Sequence, residues 1–367
     1  MIEIDNELSQ KMRAMSFFMA ILVVMIHIPF GGTSDSIGHL LTAIIQNGFA
    51  RIAVPYFFLA AGFFLAAHVG EPGWWGREVK KRLRSLILPL IVLNGAWLIV
   101  LIAWRIAPNL IHHRALFADA RIDLLLWEGV TSFGAYGNHP LGYGVLNGWP
   151  SALGLNPFAH PFLIQTWFLR SLFLLVCISP VIAWGREGSV AVAFLLNLFL
   201  CPFTTSAHPP YEIFLHMTFS LEGLFYFSAG MLLRQKAMPM VRHQWRIWSA
   251  LSLALSSVAI ICSFVYQGNL GMWSGYARFF IKPILLISVW QLLPPFKLPA
   301  FVSSCAFPMY LLHLCVLWAL RLVLPCSAAS FGAWLLLSLE VVLASIVSTW
   351  LLRKGVPRFA RGIFGGR

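Results

Sequence analysis

Apolar residues occur along this chain in runs long enough to cross a lipid bilayer, separated by connections richer in polar residues. A spanning helix needs about 20 predominantly apolar residues. The segments of this kind are 14–31, 50–69, 86–105, 162–184, 189–205, 212–233, 247–267, 277–293, 304–324 and 331–352. The pattern predicts an all-α, polytopic transmembrane bundle of about ten spans, with a short interfacial helix at 37–48.

The distribution of Lys and Arg predicts the side of the membrane on which each connection lies. Cytoplasmic connections carry the excess of basic residues. Segments 77–84, 234–246 and 353–367 are rich in Lys and Arg, whereas 31–40 and 268–276 contain none. An even number of spans with both termini in the cytoplasm fits this bias.

Composition agrees with a membrane protein. Of the 367 residues, 59% are hydrophobic and only 11% are charged, and the mean hydropathy is +0.79. A soluble protein carries about a quarter charged residues. The net charge of +13 lies mainly in short connections, without the interleaved basic and aromatic surface that nucleic-acid binding needs. We expect a single domain over 1–367, with a long outer loop at about 106–161 that forms a lid or rim.

Several ionisable side chains lie inside or at the ends of apolar segments, where their cost in lipid marks them as candidates for function. They are His27, Arg51, Arg170, Glu222 and His313. Arg13 precedes His27 by fourteen residues, which on a helix places the two on nearly the same face, about 21 Å apart. Each candidate has a structural alternative, such as a buried histidine bonded to a neighbouring helix or an arginine extending to the interface.

Six segments, in this order, resemble the membrane acyltransferase-3 family, whose members move acyl groups, usually acetyl, onto sugars of the cell envelope. They are AILVVMIH, RIAVPYFFLAAGFFLA, KKRLRSLILP, QTWFLRSLFLLVCISP, FSAGMLL and AFPMYLLHLCVLWALR. The resemblance covers nearly the whole chain. Two positions depart from the family pattern: Ser16 stands where the family has Arg, with Arg13 one helical turn earlier, and Ala61 stands where it has Ser.

The resemblance implies catalytic roles. His27 would accept the proton of the acceptor hydroxyl or carry the acyl group itself. Arg51, and Arg13 in a displaced register, would orient the acceptor or stabilise a developing oxyanion. His313 would line the same cavity as His27. Glu222 would be either catalytic or one half of an ion pair that holds helices together.

Two further predictions concern partners of charged groups. A buried carboxylate such as Glu222 needs a cation, for which Arg170, Arg278 and Lys282 are candidates. The phosphates of coenzyme A need basic residues, and the cluster at 80–84 supplies them. Such clusters also fix topology or bind anionic lipid. The residues assigned to the acyl donor are Lys81, Arg82, Arg84, Trp167, Arg170 and Tyr310.

The function that follows from the resemblance is an integral membrane O-acyltransferase in the bacterial inner membrane. It would use acetyl-CoA or another acyl-CoA as co-substrate, and no metal. Its acceptor would be a glycan or lipid-linked glycan, and its partners would include membrane lipid and polysaccharide biosynthesis machinery, but not nucleic acid. Two alternatives remain: a secondary transporter with these ionisable residues along its pathway, and a non-catalytic subunit of a polysaccharide export system.

Overall fold

The computed structural model describes residues 6–32, 36–111, 164–205, 219–236, 246–265, 273–323 and 328–364. Within these ranges all regular structure is helical, which confirms the all-α part of the predicted fold class. Long hydrogen-bonded helices are expected for a chain that spans lipid, because the bilayer core offers no water to backbone polar groups.

The helices follow one another with short connections. They are α1 Asn6–His27, α2 Ile37–Ala43, α3 Ala53–Leu65, α4 Trp74–Arg82, α5 Leu88–Ile111, α6 Trp167–Cys177, α7 Ser179–Gly185, α8 Glu187–Thr205, α9 Leu221–Gln235, α10 Arg246–Val265, α11 Trp273–Leu292, α12 Ala300–Ser304, α13 Ala306–Val323, α14 Phe331–Gly355 and α15 Pro357–Ile363. Short π-helical turns occur at Ile44–Gly48 and Leu83–Ile87, and 3₁₀ turns at Phe49–Ile52 and Ile164–Thr166.

Every predicted span coincides with a helix or a helix pair, although not every helix has the length and hydropathy of a complete span. Among the described residues, four segments pass both criteria: Asn6–His27, Ile37–Leu65, Arg246–Val265 and Phe331–Gly355. The pair α6 and α7 makes a fifth, bent by 57°. Several apolar helices cross the membrane, and the count of ten and the side of each terminus stay predictions.

Two features differ from the simplest interpretation of the sequence. The segment 37–48 is not a separate interfacial helix, because α2 continues through the π-helical and 3₁₀ turns into α3 as one segment of 29 residues. The first part of the predicted outer loop belongs to α5, which extends to Ile111. The remainder of that loop, 112–161, lies outside the described residues.

The closest approach in the bundle is between α3 and α9, which make the most extensive contact of any two elements. A Cβ atom at Gly62 would lie 2.0 Å from the carbonyl oxygen of Phe227, and one at Gly230 would lie 2.0 Å from that of Leu59. Small residues let helix backbones approach closely in lipid, where van der Waals contact drives association. Two segments of the family resemblance therefore meet at this crossing.

A second apolar cluster joins α1 to α13 and α14. It includes the buried side chains of Ala20, Val24, Met309, Leu317 and Trp334. Because α1 also packs against α3, it lies between α3 on one side and α13 and α14 on the other. This packing places the last residue of α1, His27, beside α13.

Candidate active site

The site is built around the C-terminal end of α1. Pro29 disfavours helical backbone at the preceding residue, and α1 ends at His27. The carbonyl groups of a last helical turn have no intrahelical donors. Here the Gln46 amide donates to the carbonyls of Met25, at 3.0 Å, and Ile28. The Trp334 indole N–H also donates to the Ile28 carbonyl, at 2.9 Å. The end of α1 is therefore fixed from two sides.

His27 and His313 form a histidine pair across α1 and α13, with ring centroids 5.2 Å apart. His313 is fully buried, and its Nδ1 lies 2.8 Å from the Tyr310 carbonyl oxygen. Because a carbonyl only accepts, Nδ1 carries the proton, and in the neutral ring the lone pair is on Nε2. That Nε2 atom is buried and has no hydrogen-bond partner among the described residues. The pair thus contains a buried imidazole lone pair without a hydrogen-bond partner among the described residues.

Arg51 lies near the histidine pair because of the irregular helix between α2 and α3. The π-helical and 3₁₀ turns place it at the end of the 3₁₀ turn, where its Nη2 donates to Asn47 Oδ1 at 2.8 Å. The 3₁₀ turn that carries it packs against α1, the helix that ends at His27. The side chain is exposed, so it remains accessible to an approaching substrate. The sequence prediction that Arg51 and His27 share one end of the bundle agrees with this geometry.

Tyr310 supports the histidine pair rather than offering its hydroxyl to a ligand. The hydroxyl donates to the Gln165 carbonyl, and the Gln165 amide donates to the Leu311 carbonyl at 3.1 Å. Its ring lies 5.6 Å from that of Phe168 and 6.4 Å from that of His313. These contacts bind the start of α6 to α13 and orient the turn that carries His313.

Arg13 does not lie at the histidine pair. It is exposed on α1, about 21 Å of helical rise from His27. Ser16, at the position where the family has Arg, faces α3: its hydroxyl is 3.2 Å from that of Tyr56, and both hydroxyls donate to the Met12 carbonyl. At this position the chain has a small polar contact between helices.

Glu222 pairs with Lys282, one of its three predicted partners. The carboxylate on α9 and the ammonium on α11 are 2.6 Å apart, and about a fifth of each side chain is exposed. The pair joins α9 to α11. This arrangement favours the structural interpretation of Glu222. Arg170 is half-buried on α6, and the side chain of Arg278 lies outside the described residues.

The residues assigned to the acyl donor fall into two groups. Lys81 and Arg84 are exposed in the basic segment, defined as residues 77–84, and Arg82 is half-buried there. Lys81 and Arg82 lie 3.4 and 3.6 Å from the buried carboxylate of Glu78. Burial lowers the pKa of the Arg82 guanidinium below its ordinary value, and Glu78 opposes that shift.

Trp167 belongs to the second group of donor candidates and is a packing residue. It is buried, with its ring 6.3 Å from that of Phe58 on α3. Phe58 also packs against Phe168, at 4.7 Å between ring centroids. The aromatic residues at the start of α6 therefore join that helix to α3. Trp167 and Tyr310 shape the wall of the bundle rather than a surface for coenzyme A.

Sequence reasoning did not identify Gln46, Gln165 or Trp334. The first two were detectable as amide side chains beside or within apolar segments, where an unpaired amide is costly. Trp334 gave no signal, because a tryptophan in an apolar helix is ordinary and its bond to the Ile28 carbonyl joins residues 306 apart. All three hold backbone groups in place around the histidine pair.

The arrangement supplies the groups that acyl transfer to a hydroxyl requires. An imidazole lone pair takes the hydroxyl proton, and a nearby fixed cation stabilises the oxyanion that forms at the carbonyl. The basic segment lies at the other end of the bundle, since α3 runs away from Arg51 for thirteen residues before α4 begins. The basic segment and the histidine pair thus occupy opposite ends of the same helical bundle.

Comparison with known proteins gives one match. A family model described as an acyltransferase domain covers residues 12–353. No curated protein and no solved structure matches the chain detectably. The matched range contains the histidine pair, Arg51 and the basic segment. Because the match extends over nearly the whole helical bundle, this chain belongs to the membrane acyltransferase-3 family and is a membrane-embedded acyltransferase.

Proposed function

We propose that this protein is an O-acetyltransferase. It moves the acetyl group of acetyl-CoA to a hydroxyl of a surface or exported polysaccharide, or of its lipid-linked precursor. The observation that carries the proposal is the histidine pair at the end of α1, with ring centroids 5.2 Å apart and a buried, unpartnered Nε2 on His313.

In the proposed reaction His27 acts as the general base. The acceptor hydroxyl loses its proton to the imidazole as its oxygen bonds to the thioester carbonyl carbon. The carbon–sulfur bond then breaks, and the proton passes from His27 to the departing thiolate of coenzyme A. Arg51 stabilises the negative charge on the carbonyl oxygen between these steps. His313 accepts a hydrogen bond at Nε2 from the acceptor or from protonated His27, and so orients the reacting groups.

The donor would bind at the end of the bundle that carries the basic segment. Lys81 and Arg84 expose their charges there, and phosphate groups are bound well by such side chains. The thioester end of acetyl-CoA would then extend into the bundle toward His27, while the glycan approaches His27 from its own side. This separation suits a donor in the cytoplasm and an acceptor outside the bacterial inner membrane. The enzyme would work together with polysaccharide biosynthesis machinery.

The test is acetyl transfer by the purified protein in lipid nanodiscs. Radiolabelled acetyl-CoA and envelope glycan from cells that lack the gene should yield labelled glycan and free coenzyme A in equal amounts. Mass spectrometry of glycan from cells with and without the gene should show an acetyl difference at the same hydroxyl. Glycan flux into liposomes without release of coenzyme A would instead identify a transporter and refute the proposal.

A further inference from the structure

Arg234, near the end of α9, is buried, and no carboxylate among the residues that the structure describes pairs with it. Only 8% of the residue is exposed, and its Nε and Nη1 atoms have no hydrogen-bond partner among the described residues. The guanidinium lies over the Phe63 ring, 5.1 Å from the ring centroid. Stacking on an aromatic ring offsets part of the desolvation of a cation, but it leaves the N–H donors unused. A buried guanidinium of this kind is complementary to a phosphate or carboxylate.

The same Phe63 ring lines an apolar cavity between α1, α3, α8, α9 and α11. Its volume is about 270 Å³, and its walls include Leu8, Tyr56, Phe63, Tyr226, Leu233 and Trp290. Tyr226 and Leu233 are seven residues apart on α9, so the cavity extends over about 10 Å of the helix. Almost all of the surface that faces it is carbon. Such a cavity suits an aliphatic chain and excludes groups that need hydrogen bonds, including the two amides of a pantetheine arm.

Two positively charged residues, Arg234 and Lys11, lie at the end of the cavity where α1 begins and α9 ends. Arg234 follows Leu232 and Leu233, both of which line the cavity, and Lys11 lies between the lining residues Leu8 and Met12. Lys11 is buried, with its Nζ 4.6 Å from the centroid of the Trp290 ring. An apolar cavity with cations at one end is complementary to a molecule that has an anionic head and an aliphatic tail.

We propose that this cavity is a binding site for an anionic membrane phospholipid, with one acyl chain inside it and the phosphate on Arg234. The volume is large enough for a single aliphatic chain. The site is separate from the histidine pair: its α1 residues are Leu8 and Met12, about 22 Å or more of helical rise from His27. The bound lipid would join α1, α9 and α11 at one end of the bundle and neutralise the buried guanidinium.

The test measures binding of dodecyl phosphate, which combines one chain with one phosphate, to the full-length protein in a non-ionic detergent. Native mass spectrometry would follow one bound molecule per chain. Arg234→Gln removes the charge and should weaken binding about ten- to a hundredfold, the effect of losing a charge-assisted contact. Ala229→Phe places a ring in the cavity and should weaken binding while the guanidinium is retained. The matched control is Lys236→Gln, which removes an exposed cation two residues further along that pairs with Glu187. This variant should bind dodecyl phosphate normally.

Three results would overturn the proposal. The first is unchanged affinity in Arg234→Gln or, if that variant does not fold, in Ala229→Phe. The second is equal displacement of dodecyl phosphate by inorganic phosphate, which would show that the chain contributes nothing. The third is competition by acetyl-CoA at the concentration that supports transfer, which would assign the cavity to the acyl donor. Since the readout is lipid binding, its failure leaves the proposed acetyl transfer untouched.

Discussion

The carboxylate of Glu222 and the ammonium of Lys282 face each other at 2.6 Å between α9 and α11. About a fifth of each side chain is exposed, and a largely buried charge that loses its partner is costly. In the sequence alone, an ionisable residue in an apolar segment is a candidate for a catalytic group. Together they neutralise each other, and the contact joins two segments of chain that are 60 residues apart.

We predict that Glu222→Gln and Lys282→Met each destabilise the protein by about 1–3 kcal/mol, because each leaves one charge without its partner in a poorly hydrated position. The double variant should be less destabilised than the sum of the two, since no charge remains. Thermal unfolding in detergent for all four proteins would give the coupling energy. A purely additive cycle, or a large loss of turnover at normal stability in Glu222→Gln, would instead indicate a catalytic carboxylate.

The α3–α9 crossing should be intolerant of added volume. Gly62→Ala and Gly230→Ala bring a methyl group against a backbone carbonyl, which cannot move away as a side chain would. We expect losses of about 1–3 kcal/mol or more, the usual cost of overpacking. The matched control is Gly95→Ala in α5, where nothing lies within 4 Å of the added carbon. That change should be neutral or stabilising by up to about 1 kcal/mol. Equal unfolding temperatures for all three variants would contradict the crossing geometry.

Loss of His27 should affect the chemical step alone. We predict that His27→Ala lowers the transfer rate by about 10²–10⁴-fold, the usual contribution of a general base. Binding of acetyl-CoA should persist, because the basic segment lies at the other end of the bundle. His39→Ala is the control, since His39 is an exposed histidine on α2. Rates and donor affinities of the two variants should be measured together. Normal turnover in His27→Ala would exclude the mechanism, and simultaneous loss of binding and turnover would indicate a structural histidine.

His313 offers a sharper test because its two nitrogens have different environments. In His313→Asn the amide group can donate to the Tyr310 carbonyl as Nδ1 does, but nothing replaces the Nε2 lone pair. We expect the variant to fold and to lose about 10²-fold in rate. Unfolding temperature and turnover would separate the two roles. Full activity in His313→Asn would mean that the histidine serves only as the donor to Tyr310.

The basic segment should divide into donor-binding and structural residues. Lys81→Gln and Arg84→Gln remove exposed charges, and each should weaken acetyl-CoA binding several-fold, more strongly at low ionic strength. Arg82→Gln should instead mainly reduce stability, because the buried Glu78 carboxylate loses the less exposed of its two close counter-charges. Arg77→Gln, which removes an exposed cation paired with Glu71, is the control for general charge. Donor affinity that is unchanged in the Lys81 and Arg84 variants at low salt would assign the segment to topology.

The parts of this protein that sequence reasoning predicted depend on local patterns. Hydropathy identifies helices of spanning length, because lipid excludes unpaired backbone groups. Pro29 limits α1, and so the position of His27 at a helix end follows from its neighbours. The proximity of His313 to His27 depends on tertiary packing across 286 residues, and only the family resemblance suggested it. The choice of Lys282 over Arg170 for Glu222 was likewise beyond any local rule.

The π-helical turn at Ile44–Gly48 determines how many residues the chain uses between α2 and α3. A π-helical turn holds one more residue than an α-helical turn, and every later side chain is rotated by roughly 100° as a result. Gln46, which holds the end of α1, lies within this turn, and Arg51 lies just after it. Substitutions at Ile45 would leave this geometry in place, whereas deletion of one residue would turn Arg51 away from His27 while Gln46 still held α1. The orientation of Arg51 relative to His27 is therefore encoded by the number of residues in this stretch as much as by their identity.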